Sequence, residues 1–401
     1  MNERQSRQAE APPASLFWAA GAGMFVFGVT LAILGALFGL PQMRERLHVD
    51  LAQQGDIFLM LYFGIFVSTV IVGPIVDTFG NKTVLTTSAV FVVAGLLGFS
   101  VAGSFGAAMA FAFLLGFGGG GLNTACNALV ADLYKENRGA MLNLLGVFFG
   151  FGALFIPLLA ASITGRLTIP QLLWIAAAMS LICAGAYAVL PFPLPRENIG
   201  FSIFASIHAA KYPAVLLFAA LLFFESGNES AIGGWTSTYA GSMGGPPRTA
   251  TWILAGYWGG LMSGRVLGAK LLERIAKERL IFMSAIGSAI GTVVLVAFRS
   301  IAAMGAGAVI VGLSFAAIYP TTLAIAADRY QRLAGTIFGL LFAVGLIGGM
   351  LFPWAIGHLS EHFGLRGGML LPIFGAAMIT LLAVRVRSIP PARADAPHAP
   401  A

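Results

Sequence analysis

LFWAAGAGMFVFGVTLAILGALFGL, residues Leu16 to Leu40, contains no charged side chain. About 20 apolar residues suffice for a helix to cross the hydrocarbon of a bilayer, whereas the apolar core of a signal peptide holds roughly 7–15. The run is therefore read as a retained spanning helix. The polar residues ahead of it, with Arg4 and Arg7, form a short N-terminal segment.

The same kind of run recurs along the chain. Working outward from the first, spans are placed at 16–40, 56–76, 83–103, 106–132, 140–164, 170–191, 213–240, 249–271, 279–298, 301–327, 334–358 and 366–386. They are long and lack strict alternation, so they are helices and not strands. Composition agrees: 58% of the 401 residues are hydrophobic, 10% are charged, and the mean hydropathy is +0.88. A soluble domain carries about 25% charged residues, so this chain uses lipid as part of its solvent. The formal charge of +7 forms no basic patch and gives no footprint for nucleic acid. Cys126 and Cys183 lie inside apolar runs and indicate neither a disulfide framework nor a metal site.

Lys and Arg set the topology. With both termini on one side, only Arg44, Arg46, Arg166, Arg248, Arg299 and Arg366 of the 23 basic residues fall on the other. By the positive-inside rule the termini are cytoplasmic, in the cytoplasmic (inner) membrane.

The polar stretch around Pro193, Pro195, Arg196, Glu197 and Lys211 divides the chain. The expected organisation is a six-helix bundle over 1–192, a cytoplasmic linker over 193–212 and a second six-helix bundle over 213–401. An internal repeat supports it. At a constant offset Ala131-Asp132-x-Tyr134 matches Ala327-Asp328-x-Tyr330, and Gly116, Gly139, Gly152 and Pro157 match Gly312, Gly335, Gly348 and Pro353. At a slightly longer offset Gly28-x3-Ala32-Ile33-x-Gly35 matches Gly227-x3-Ala231-Ile232-x-Gly234. Two parallel halves with substrate held between them is a known transporter layout.

Span seven carries the chemistry. In FFESGNESAIGGWTSTY, residues Phe223 to Tyr239, two carboxylates sit near mid-membrane. Each costs about 2.5–3.5 kcal/mol to insert. Glu225 and Glu229 are one helical turn apart, with Asn228 beside them, so they share a face that cannot point at lipid. Like charges that close favour holding one proton between them, which suits a carrier of H⁺ or Na⁺. A buried structural pair is the alternative. Gly227, Gly233 and Gly234 predict a weakened or broken helix there. In span four, Asn123 and Asn127 share a face, and their amides suit sugar hydroxyls or hydrogen bonds between helices. Trp235, Trp258 and Tyr62 are candidates to stack on a sugar ring. Asp56 is read as the N-cap of span two. Gly116-x-Gly118-x2-Gly121 matches a dinucleotide fingerprint in letters alone: it lies in the middle of an apolar span, not between a strand and a soluble helix.

Gly73-Pro74-Ile75-Val76-Asp77-Thr78-Phe79-Gly80-Asn81-Lys82 resembles the major facilitator loop signature, Gly-x3-Asp-x2-Gly-x-Lys/Arg, and the resemblance implies a conformational gate. Arg265, in Gly260-x3-Gly264-Arg265-x2-Gly268, is read as part of a weaker copy after span eight. Asp132 and Asp328, closing spans four and ten, are read as paired gate contacts.

Four segments in order resemble the fucose–galactose–glucose permease branch of the major facilitators and its sodium-dependent glucose transporter relatives. They are Gly121-x-Asn123-Thr124-x2-Asn127, Gly227-x-Glu229-x3-Gly233-Gly234-Trp235-x2-Thr238-Tyr239, Tyr257-Trp258-Gly259-x3-Ser263-Gly264-Arg265, and Gly312-Leu313-Ser314 with Pro320-Thr321. The resemblance implies an all-α protein of twelve transmembrane helices in two pseudo-symmetric six-helix bundles. It also implies a cation-coupled sugar symporter working by alternating access. Where the family has an acid in span four, this chain has Asn123, which cannot titrate; coupling then falls to Glu229 with Glu225. The site expected is Asn123, Asn127, Asn228, Trp235, Trp258 and Tyr62 for substrate. Gly73, Asp77, Gly80, Lys82, Arg265, Asp132 and Asp328 are expected for gating. No cofactor or metal is expected, nor a catalytic constellation of an enzyme; the partners are a sugar, H⁺ or Na⁺ and lipid, with a monomer as the assembly. The rivals are an efflux carrier for lipophilic compounds and a non-transporting sensor on the same fold.

Overall fold

The computed structural model describes residues 14–163, 166–193, 211–330 and 333–388, and most of the expected linker 193–212 lies outside them. The described elements are all helices. In chain order they are α1 (Ala14–Phe38), α2 (Pro41–Leu47), α3 (Leu51–Val101), α4 (Phe105–Leu133), α5 (Arg138–Ile163), α6 (Ile169–Val189) and α7 (Pro213–Ser242). There follow α8 (Pro247–Leu272), α9 (Lys277–Ala297), α10 (Ile301–Phe315), α11 (Ile318–Arg329), α12 (Ala334–Gly368) and α13 (Leu370–Arg387). Ten helical stretches are long and apolar enough to cross a membrane. Twelve spans result because α3 holds two of them and α8, which carries Arg265 and Lys270, supplies the last.

Several boundaries differ from the sequence expectation. Spans two and three are the two helical arms of α3, as expected, and they meet at Gly80, whose non-helical φ of 79° and ψ of 162° favour glycine. Asp56 does not cap α3. Asp50 does: its Oδ1 accepts from the Gln53 amide at 2.7 Å, and Gln53 Oε1 accepts from the Asp50 amide at 3.2 Å. Span ten is broken into α10 and α11, because Pro320 has no N–H to offer the Ala316 carbonyl. Span seven, expected to be weakened, is a continuous helix of 30 residues. Its glycines serve packing: a Cβ on Gly233 would meet the Trp258 ring at 3.0 Å, and one on Gly234 the Phe58 ring at 3.1 Å.

The repeat seen in sequence is repeated in contact. Gly116 on α4 lies against the Leu61 carbonyl of α3, and its counterpart Gly312 on α10 lies against the Tyr257 carbonyl of α8. In the same pairs of helices, Gly64 meets the Phe113 carbonyl and Gly260 meets the Val309 carbonyl. Gly152 on α5 abuts the Phe25 carbonyl of α1, and Gly348 on α12 abuts the Phe223 carbonyl of α7. Small residues let backbones approach closely, which is how helices associate where lipid removes the hydrophobic drive. The same joints build both bundles.

The halves meet closely on the face that carries α2. There Ser237 Oγ donates to the Gly35 carbonyl, Thr238 Oγ1 donates to the Phe38 carbonyl at 3.1 Å, and Gln54 Nε2 donates to Thr238 Oγ1 at 3.2 Å. Gly55 packs on the Trp354 carbonyl and Gly357, so α3 and α12 are also in backbone contact. Nearer the opposite face, α5 and α8 touch through Gly150 and Met262.

Candidate functional site

The α7 helix presents its two carboxylates differently. Glu225 is fully buried, and neither oxygen has a hydrogen-bond partner among the described residues. Glu229, one turn on, is half-buried. Tyr257 of α8 donates its hydroxyl to the Glu229 carbonyl at 3.2 Å. Tyr62 of α3 lies in the field of Glu229 and beside Ser230. Tyr319, at the start of α11, lies in the field of both carboxylates.

Arg265 is the cation of this site, and its placement corrects the sequence reading. It stands within α8, not in a loop after it. Its guanidinium lies 5.4 Å from the centre of the Phe149 ring on α5, its Nε is buried without a partner, and its charge acts on Glu225 and Glu229. Two acids of one half and an arginine that reaches the other half therefore form one electrostatic group at mid-membrane. Such a group is held away from lipid and can change its pairing as the halves move.

Trp258 joins it. The ring is almost wholly buried, stands edge-on to Phe149 at 6.3 Å, and leaves its Nε1 without a partner. Trp235 is enclosed differently: Nε1 donates to the Pro353 carbonyl at 3.0 Å, and the ring is 5.8 Å from Phe58. It plugs the sealed end and presents no open ring face in this state. Asn228 turns to α13, where Nδ2 donates to the Pro372 carbonyl at 2.9 Å, while its Oδ1 is unpartnered. It does not join the Glu229 face as the sequence reading expected, because its position on α7 faces the neighbouring helix of its own half. Asn123 and Asn127 are half-buried and bonded to each other, Asn127 Nδ2 donating to Asn123 Oδ1 at 3.0 Å.

The expected gate residues spread along the opposite face. Gly73 and Asp77 are half-buried and Lys82 is exposed beside the Gly80 bend. Asp328 pairs with Lys277 inside the second half, and Asp132 is exposed at the end of α4.

Sequence reasoning missed Phe149, which nothing local separates from other apolar positions; Tyr257 and Tyr319 stood within the span-eight and span-ten motifs but were given no role at the site. It also missed the contact of Asp56 with His358, 302 positions apart. For Arg265 a signal was present: an arginine seven residues before the end of an apolar run lies inside the span.

The Major Facilitator Superfamily model matches residues 20–353, and again 217–400. The sodium-dependent glucose transporter 1A of Mus musculus is 23% identical over 88% of this chain and 92% of its own length. The fosmidomycin resistance protein of Escherichia coli (strain K12) is 22% identical over 85% of this chain and 86% of its own. Among solved structures, a D-xylose–proton symporter superposes with a TM-score of 0.79 at 14% identity, covering 95% of this chain and 99% of that one.

Proposed function

The chain belongs to the major facilitator superfamily, and we propose that it is a proton-coupled symporter of a sugar or sugar-like substrate, working by alternating access. The observation that carries the reading is Glu225: a fully buried carboxylate without a partner, one turn from a half-buried one and in the field of a single arginine. An unpartnered buried anion is costly. A sodium ion would need several oxygen ligands around it, whereas a proton needs none beyond the carboxylate itself. Neither Glu225 oxygen has a hydrogen-bond partner among the described residues, and that, with the positive charge of Arg265, favours H⁺.

In this reading Glu229 faces the cleft between the halves, where substrate binds, and Glu225 stores the proton behind it. Arg265 balances whichever carboxylate is charged, so that proton and substrate are taken up together. Tyr62, Trp258, Asn123 and Asn127 supply ring faces and amides to a polyhydroxylated substrate. The glucose-transporting relative supports the substrate class; its name carries sodium, whereas that of the xylose–proton symporter carries the proton. By the distribution of Lys and Arg, the sealed end is external and both termini are cytoplasmic, in the inner membrane; the carrier acts as a monomer, with the bundles joined through residues 193–212.

The test is uptake of labelled hexoses into proteoliposomes under imposed proton or sodium gradients. Proton-driven accumulation that disappears in Glu229→Gln while exchange persists supports the reading; sodium-driven accumulation removes the proton. The aromatic lining of Phe149 and Trp258, with the fosmidomycin-resistance relative, favours a second reading, an exporter of lipophilic compounds. That reading predicts no hexose flux and proton-driven extrusion of apolar dyes. Binding without any flux would point to a sensor.

A further inference from the structure

The sealed end holds a charged contact that the central site does not use. Asp56 of α3 and His358 of α12 belong to opposite halves and meet at 3.0 Å, Oδ1 to Nε2. His358 is 42% exposed and Asp56 26%, so neither is enclosed by the protein. The contact is held by its surroundings. Trp354 lies one turn before His358 with its ring centre 4.7 Å away, and Glu361, nearly one turn beyond, accepts from the Leu51 amide at 2.8 Å.

Of the other charged groups at this end, Glu45 and His48 stand on and just after α2 and Arg248 and Arg299 at the ends of α8 and α10, and several of the rest are committed elsewhere. On α3, Asp50 caps its own helix; on α12, Glu361 is on Leu51 and Arg366 donates to the Ala297 carbonyl; His362 stands against Phe363. On α2, Arg46 donates to the Ser100 carbonyl and Arg44 makes no ion pair among the described residues. The last three turns of α7 and the first three of α13 bring no charged side chain.

We propose that Asp56 and His358 form a second proton-binding site, outside the transport site, at which an added proton holds the two halves closed. With His358 neutral, the contact is a single hydrogen bond; with His358 protonated, it is an ion pair of opposite charges, the stronger form. Opening this end separates the partners. A proton that strengthens a contact made only in the closed state favours closure. Histidine is the side chain whose charge changes between about pH 5 and 8. An exposed pair of this kind shifts a two-state ratio by about two- to fivefold.

The test is made on the full chain in nanodiscs, with Cys126 and Cys183 replaced by alanine. Spin labels go on Gly103→Cys and Ala302→Cys, exposed positions at this end in opposite halves. Between about pH 8 and pH 5.5 the short-distance population is expected to rise relative to the long by about two- to fivefold. The response persists in Glu225→Gln/Glu229→Gln, which separates it from titration at mid-membrane. It is flat in both Asp56→Asn and His358→Gln, and it returns in the swapped double variant Asp56→His/His358→Asp. A full response in either single variant, or its loss in Glu225→Gln/Glu229→Gln, overturns the proposal.

Discussion

The guanidinium of Arg265 lies 5.4 Å from the centre of the Phe149 ring, on a helix of the opposite half. A cation over an aromatic face is held by about 0.5–2 kcal/mol, the larger value where water is excluded. The same cation feels Glu225 and Glu229 of its own half. Arg265 thus has two sets of partners, and only one of them moves with it when the halves separate.

Replacing Arg265 tests that arrangement. Arg265→Ala leaves two acids at mid-membrane with no counter-charge and is expected to lower proton-driven uptake by about 100-fold, with the fold intact. Arg265→Lys keeps the charge without the planar face and should recover part of the rate. Initial uptake rates in proteoliposomes, beside a thermal melt of each variant, decide it; a normal rate in Arg265→Ala would remove the residue from the mechanism.

Glu225 is read as the proton store. Glu225→Gln is expected to abolish accumulation against a gradient while exchange of labelled for unlabelled substrate continues. An internal pH dye should then report no proton entry with substrate. Because Glu225 is buried without a partner, the amide is not expected to destabilise the protein, and its melting temperature should stay at or above that of the parent.

The glycine joints make a prediction about folding alone. A Cβ at Gly116 or Gly312 would run into the backbone carbonyl of Leu61 or Tyr257. Gly116→Val and Gly312→Val should each cost about 3 kcal/mol or more. Gly106→Ala is the control: a Cβ there would meet nothing within 4 Å, and the change should be neutral or stabilising. Melting in detergent separates the three.

At Gly80 the backbone itself is the constraint. Its φ of 79° puts any residue with a Cβ in an unfavourable region, so Gly80→Ala should cost about 1–2 kcal/mol. If the bend also serves the gate, uptake falls more than stability does.

Much of the fold was legible because its cause is local. An apolar run of membrane length, as at Leu16–Leu40, has one solution in lipid. The offset pairing of Gly116 with Gly312 announced a repeated joint before either was seen to touch a carbonyl. The carboxylates of Glu225 and Glu229 were legible for a similar reason: their burial is expensive enough to need a purpose. What was not legible depended on partners far along the chain. Nothing near Asp56 tells of His358. The glycines of α7 read as weakness until Trp258 and Phe58 were found filling the space they leave. Arg265 was misplaced because a short glycine-rich motif outweighed its position inside an apolar run.

The sealed end brings main chain directly against main chain: Gly35 against the Gly233 carbonyl, Gly55 against the Trp354 carbonyl. Backbone packed on backbone leaves little that a side-chain fluctuation could open there. Under the proposed proton coupling, that tightness is a matter of energy conservation. A looser joint would let protons slip inward without cargo, short-circuiting the gradient on which the rest of the membrane's work depends. A bulky residue at Gly35 or Gly55 would then harm its host more through that leak than through any transport it lost.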